Sequence, residues 1–314
     1  MTGRVRVFAP ASASNLGPGF DVLGLALQRP GDVVEAEARP APGIEIVAVT
    51  GADGLTTDPE TNVVGVAAAA VLRRLEAGAT QGVRLWLHKQ MPLASGLGSS
   101  AASSVAGALA VNQLLGGSLS PAALIECAME GEAAASGEAH ADNVAPSVLG
   151  GIVLIRSYDP LDVVSLPVPA ALRIVVVHPH ASVETATARR LVAEHRFTIS
   201  QVVTNLGNIA ALVSALHAGD LALFGHSIHD ALVEPIRAPL VPAFAEVKRA
   251  AMARGALGCS ISGSGPSVFA FADSDADAAA VSDAIQDAFQ TAGLASDPYV
   301  GPINTRGAHV ISAD

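Results

Sequence analysis

The chain has 314 residues, half of them hydrophobic but only 4% aromatic, and a formal net charge of -11. That length suggests two domains or one large one around an aliphatic core, and no uninterrupted apolar run reaches the ~18–20 residues of a bilayer-spanning helix. The acidic balance argues against nucleic acid and anionic membrane surfaces, which call for clustered Lys and Arg.

The basic N-terminus, Met1 to Ala9, has no apolar stretch behind it and does not read as a secretory signal. Its alternating Arg and Val predict an edge-like strand over Val5–Ala9, followed by strands at Asp32–Ala38, Ile44–Val49 and Val83–His88. Asn62–Glu76 and Ser100–Leu115 read as helices, and a third starts at Ser120 as N-cap with Pro121 in the first turn. Gly151–Ile155 is a strand. The three prolines between Asp159 and Ala171 mark a junction that divides the chain into residues 1–160 and 161–314. Beyond it come a strand at Leu172–Val177, helices over Glu184–His195, Ile199–Ala218, Leu221–Val233 and Val241–Ala253, and a glycine loop, Gly263–Gly265, between two strands. Ala276–Gln290 is a last helix and His309–Ile311 a last strand, so both halves read as α+β. Two cysteines, Cys127 and Cys259, suit small buried hydrophobes better than a disulfide framework, and the expected compartment is the cytoplasm.

The chemistry centres on Met91-Pro92-Leu93-Ala94-Ser95-Gly96-Leu97-Gly98-Ser99-Ser100-Ala101-Ala102. Two glycines and adjacent hydroxyls ahead of a helix leave N–H groups and the positive end of a helix dipole facing outward, as a phosphate cradle requires. A Walker-type loop would end in Gly-Lys-Ser/Thr, yet the only lysines are Lys89 and Lys248 and neither follows a glycine. The dinucleotide pattern is met at Gly96–Ala101, but the preceding strand is separated from it by a Pro-containing segment and no acidic residue occurs between Gly98 and Glu126. With so few basic residues, a phosphate ligand has to be held mainly by backbone and metal.

Pro92–Ala102 resembles the ATP-binding motif of the GHMP small-molecule kinases. Pro10–Asp21 resembles the N-terminal motif of the homoserine-phosphorylating branch of that family, although Ala11-Ser12-Ala13-Ser14-Asn15 stands where Ala-Ser-Ser-Ala-Asn is usual, and Gly258–Ser267 resembles the family's C-terminal glycine loop. The resemblance spans nearly the whole chain. It implies an N-terminal half like ribosomal protein S5 domain 2, a ferredoxin-like C-terminal half, and transfer of phosphate from ATP, with Mg²⁺, to the side-chain hydroxyl of L-homoserine. A second copy of the chain is the implied protein partner.

By the same resemblance Asn62, Pro92, Ser95, Gly96, Leu97, Gly98, Ser99, Ser100, Ala101, Ala102, Gly263 and Ser264 bind ATP, and Ser100 and Glu132 hold the metal. Asn15, Asp21, His140, Asn143, Thr185, Arg189 and Arg237 bind the amino-acid substrate, with Asn15 and Asn143 orienting its hydroxyl and Asp21 meeting its ammonium group. A guanidinium matches a carboxylate bidentately, which suits Arg237; for the other arginine, Arg190 competes with Arg189. Asp142 is the nearby carboxylate without a family role, and transfer without a dedicated base is expected. Two further readings stay open: another small-molecule kinase of the family, or an inactive binding protein, which would be expected to have lost Ser100, Glu132 or a loop glycine. His226 with His229, and His178 with His180, lack an evident third metal ligand.

Overall fold

The computed structural model describes residues 3–313. The chain opens with two long antiparallel strands, β1 (Arg4–Ser14) and β2 (Leu23–Arg39), then β3 (Gly43–Thr50), α1 (Val63–Arg74) and β4 (Gly82–His88). Three helices follow, α2 (Ser99–Leu114), α3 (Pro121–Ser136) and α4 (Ala141–Leu149), and a hairpin, β5 (Ile152–Tyr158) and β6 (Leu161–Leu166). The second part holds β7 (Arg173–Pro179), α5 (Thr185–Ala193), α6 (Ile199–Ala218), α7 (Leu221–Ser227), α8 (Glu234–Arg237), α9 (Phe244–Ala253), β8 (Gly258–Ile261), β9 (Val268–Ala272), α10 (Asp275–Thr291), β10 (Ser296–Pro302) and β11 (His309–Ala313).

One sheet runs β11-β1-β2-β4-β3, with β5 pairing to the Leu23–Leu25 end of β2 and β6 pairing to β5. Alternation puts Val5 and Val7 inward while Arg4 reaches Glu35 on the neighbouring strand. The expectation of an edge-like β1 fails because the last strand of the chain, β11, returns and covers that edge. The second sheet has the order β10-β7-β9-β8; with helices between β7 and β8 and between β9 and β10, this is the βαββαβ arrangement of a ferredoxin-like layer. Residues 159 and 160 form the turn of the β5–β6 hairpin, so the expected division after residue 160 falls inside that hairpin, and β6 and β11 belong to the first sheet although they follow it.

Small side chains let α1, α2 and α3 stack closely over the first sheet; Val64, Ala67, Ala68, Val105, Ala106 and Ala128 share one core with Val34, Leu85 and Leu87. A second core joins the two sheets: Leu16, Leu23, Leu25 and Leu97 meet Ile174, Val176, Phe224, Phe269 and Phe271. Each such large side chain removed from water contributes about 1.5–3 kcal/mol, which fixes the halves against each other. Cys127 and Cys259 are both unpaired and buried, as expected.

Helix α6 departs from the composition argument. It has 20 residues, a mean hydropathy of 1.4 and no charged residue, so by length and composition alone it is apolar enough to cross a membrane. One face is anchored: Asn205 Nδ2 donates to the Pro18 carbonyl at 2.7 Å and Asn208 Nδ2 to that of His229 at 2.8 Å. The other carries Ile199, Val203 and Leu206, which are 80%, 61% and 61% exposed.

Candidate active site

A cleft of about 700 Å³ opens where the N-terminal ends of α2 and α5 face the glycine loop between β8 and β9. Gly98 is the N-cap of α2, in the left-handed region at φ +65°, and no side chain caps the helix. The first N–H groups of a sixteen-residue helix are therefore left for a ligand. Ser99 Oγ is buried without a hydrogen-bond partner at this point.

The phosphate loop is clamped from both sides. Ser262 Oγ donates to the Gly96 carbonyl at 2.7 Å, Ser267 N to that of Ser95 at 3.2 Å, and Ser12 N to that of Leu97 at 3.0 Å. The two loop glycines are needed for these neighbours. A Cβ on Gly96 would lie 2.4 Å from the Ser262 carbonyl oxygen; one on Gly98 would lie 2.2 Å from Ser12 Oγ and 2.9 Å from Asn143 Oδ1.

Of the expected nucleotide residues, Asn62, Ser95, Gly96, Gly98, Ser99, Ser100, Gly263 and Ser264 line the cleft. Pro92, Leu97, Ala101 and Ala102 do not: α2 is buried nearly all round, so Ala101 packs into the core against the first sheet while Leu97 and Ala102 pack into the core between the sheets. Asn62 already serves as N-cap of α1, its Oδ1 accepting from Val64 N at 2.9 Å.

All the expected substrate residues, Asn15, Asp21, His140, Asn143, Thr185, Arg189 and Arg237, line the same cleft, as does Glu132. Asn143 Oδ1 accepts from Ser12 Oγ at 2.9 Å, and its Nδ2 donates to Ser14 Oγ at 3.1 Å. Asn15 accepts from Asp21 N at 3.2 Å and donates to the Gly263 carbonyl at 3.1 Å. Asn15, Leu16 and Asp21 all take positive φ, so this loop holds strained backbone beside the site.

Arg189 Nη2 donates to Asp21 Oδ1 at 2.8 Å and its Nε to His140 Nε2 at 2.8 Å. His140 Nδ1 lies 3.4 Å from Glu132 Oε1, so a polar chain runs from Glu132 through His140 and Arg189 to Asp21. With Nε2 accepting, the His140 proton belongs on Nδ1, facing Glu132. Of the two adjacent arginines, Arg189 lines the cleft, whereas Arg190 is exposed and does not.

Arg237 is 3% exposed, donates from Nη1 to the Gly263 carbonyl at 2.8 Å, and keeps a buried Nε without a partner. Burial, and then the nearby Arg189 charge, pull its guanidinium down to about 10. Arg189 is already paired with Asp21 and with Glu138, whose Oε2 lies 3.1 Å from its Nη1, so the guanidinium with an open buried N–H is that of Arg237. On the other side Asp142, 1% exposed, is pushed up to about 7, first by burial and then by Asp21.

Sequence reasoning passed over four residues here. Lys89 is a cleft residue, ion-paired to buried Asp32 and bonded to Ser103. The guanidinium carbons of Arg189 and Arg237 lie 5.6 and 5.0 Å from the centre of the Phe20 ring. The lone lysine in a strand-ending position and the aromatic within Gly-Phe-Asp were the available signals. Among the described residues no cluster of three His, Cys, Asp or Glu could hold a metal alone, so His178, His180, His226 and His229 form no such site.

The family description GHMP kinases N terminal domain matches residues 62–151, and GHMP kinases C terminal matches 212–291. The homoserine kinase of Chlorobium phaeovibrioides is 43% identical over 98% of this chain and 99% of its own length, and that of Xanthomonas campestris 42% over 98% and 94%. The chain belongs to the homoserine kinases of the GHMP family. The crystal structure of homoserine kinase from Cytophaga hutchinsonii superposes with a TM-score of 0.95 at 48% identity, covering 98% of this kinase and 97% of that chain. Leishmania major mevalonate kinase, at 17% identity and a TM-score of 0.68, shares the fold. ATP is the co-substrate of this kinase, and both glycine loops that face the cleft fall in or beside the matched regions.

Proposed function

We propose that this kinase transfers the γ-phosphoryl group of ATP to the side-chain hydroxyl of L-homoserine, giving O-phospho-L-homoserine, a step of threonine biosynthesis. One observation carries the reading: beside an uncapped helix N-terminus, the guanidiniums of Arg189 and Arg237 converge within reach of Asp21. That pairing of cations and an anion suits the carboxylate and ammonium of an amino acid whose hydroxyl then faces the phosphates. Arg237 takes the carboxylate, with Arg189 shared between it and Asp21, and Asp21 meets the ammonium. Thr185, bonded to Ser264 Oγ at 3.3 Å, closes the cleft over the substrate.

Mg²⁺ fits the oxygen donors on the nucleotide side: the Ser100 hydroxyl and the Glu132 carboxylate line the same cleft, next to the buried Ser99 hydroxyl that has no protein partner. When bound, such an ion neutralises phosphate charge that this acidic chain does not. Asn15 and Asn143 orient the substrate hydroxyl, and its proton passes directly to a phosphate oxygen as the loose transition state forms. The part built on the first sheet, with β6 and β11 included, is read as the nucleotide domain and the part built on the second sheet as the other domain, the enzyme as cytoplasmic, and its assembly as a homodimer, which the bare stripe on α6 supports. Purified enzyme given homoserine analogues that lack either the carboxylate or the ammonium group tests the assignment. Both losses should raise KM by about ten- to a hundredfold; indifference to either would refute it.

A further inference from the structure

The loop that cradles the phosphates contains no Lys or Arg between Met91 and Ser104. A cation nevertheless stands beneath it. Lys89 follows β4, has a side chain only 2% exposed, and lines the floor of the cleft. Its ammonium donates to Asp32 Oδ2 at 2.5 Å, to Ser103 Oγ at 2.8 Å and to the Ser99 carbonyl at 2.7 Å. Those three bonds use all three of its protons.

Asp32, from β2, is itself fully buried, and accepts from Ser103 Oγ at 2.6 Å and from Gln90 N at 2.9 Å. Lys89 N in turn donates to the Thr50 carbonyl at the end of β3. Three strands and the first turn of α2 thus meet on one ion pair. Taking two charges out of water costs several kcal/mol each, and a packed apolar pair serves stability as well, so stability does not account for such a pair at this place.

The contact to Ser99 does. A peptide unit is planar, so a bond that fixes the Ser99 carbonyl fixes the Ser100 N–H on its opposite side. That N–H is one of the uncapped donors at the start of α2. A cation on the carbonyl also polarises the peptide and strengthens its N–H as a donor.

We infer that Lys89 is a positioning residue of the phosphate site: its ammonium, held by Asp32 and Ser103, aims and polarises the Ser99–Ser100 peptide toward the phosphates without touching them. In a Walker-type loop a lysine meets the phosphates directly; here the lysine acts through one peptide plane. The inference rests on the reading of this cleft as the nucleotide site.

The test is calorimetric binding of Mg·ATP to the native enzyme and to the paired exchange Asp32→Asn with Lys89→Met, which removes both charges together and leaves neither stranded. The folded double variant should bind Mg·ATP at least tenfold more weakly, with KM for homoserine changed less than twofold. Native affinity in the folded double variant would overturn the inference, and so would equal losses for both substrates. Ser103→Ala, a single hydroxyl deletion that leaves the ion pair in place, covers a failure of the pair to fold: it should weaken Mg·ATP binding about two- to fivefold, and no change would again overturn it. Absence of ATP binding by the native enzyme would instead remove the nucleotide reading itself.

Discussion

Arg237 places its guanidinium carbon 5.0 Å from the centre of the Phe20 ring and donates from Nη1 to the Gly263 carbonyl, while its buried Nε finds no acceptor among the described residues. A buried cation held by a ring face and one carbonyl is incompletely compensated, and on the proposed reading a substrate carboxylate supplies the remainder. Arg237→Ala should raise KM for homoserine by about ten- to a hundredfold, the worth of a charge-assisted pair, and leave KM for ATP nearly unchanged. Steady-state kinetics with each substrate varied in turn checks this; equal effects on both would make Arg237 a structural residue.

Gly98 lies against the other half of the site. At φ +65°, with Ser12 Oγ 2.2 Å and Asn143 Oδ1 2.9 Å from the position of a Cβ, any side chain displaces the Ser12–Asn143 pair as well as straining the backbone. Gly98→Val should abolish measurable ATP binding in calorimetry while circular dichroism stays native. Its kinetic damage reaches the homoserine side through Asn143, so the residue serves both substrates rather than only clearing room for phosphate. Unchanged nucleotide affinity would sink the assignment of the loop.

Asp142 offers a test in two parts. Its carboxyl is raised from the ordinary ~4 to about 7, so the folded chain keeps a proton that the unfolded chain has released. The stability this proton brings is present below pH ~4 and is lost as pH rises toward 7. Asp142→Asn should therefore gain in thermal midpoint over the native chain on going from pH 5 to pH 8, as a pH series of melting curves would record. At saturating substrates it should keep most of kcat; a loss of about 10²–10⁴ with both KM values unchanged would identify Asp142 as a general base and overturn transfer without one.

The homodimer reading is tested on α6. Ile199, Val203 and Leu206 recur at helical spacing on its outer face, and a charge there should block an apolar contact at little cost to the fold. Val203→Asp with Leu206→Asp should convert a dimer to a monomer in light scattering, with the far-ultraviolet spectrum unchanged. A dimer that survives both substitutions uses another surface.

Local patterns made much of the fold legible. Ser120 caps α3 ahead of Pro121, because that contact lies within a few residues; the capping box of Thr198 and Gln201 that opens α6 is equally local but was not among the signals read. The long-range pairings were not legible. β11 reaching β1, β6 turning back on β5, and α4 running on through Pro146 depend on partners far along the chain or on a residue whose local preference opposes the outcome. In the site, Gly96, Gly98, Asn143 and Arg237 could be read from motifs. Lys89 could not, since nothing in a lysine after a strand announces that its ammonium will end beneath the Ser99 carbonyl. The choice between Arg189 and Arg190 likewise waited on which face of α5 met Asp21.

The most direct measurement is phosphorus NMR of the purified enzyme with ATP, Mg²⁺ and either L-homoserine, mevalonate or galactose. With homoserine, the account predicts loss of the γ-phosphate signal and growth of a single phosphomonoester resonance coupled to the methylene protons of the side chain, at a rate far above that with the other two acceptors. A phosphomonoester formed as fast from mevalonate or galactose, or none formed from homoserine, would contradict it.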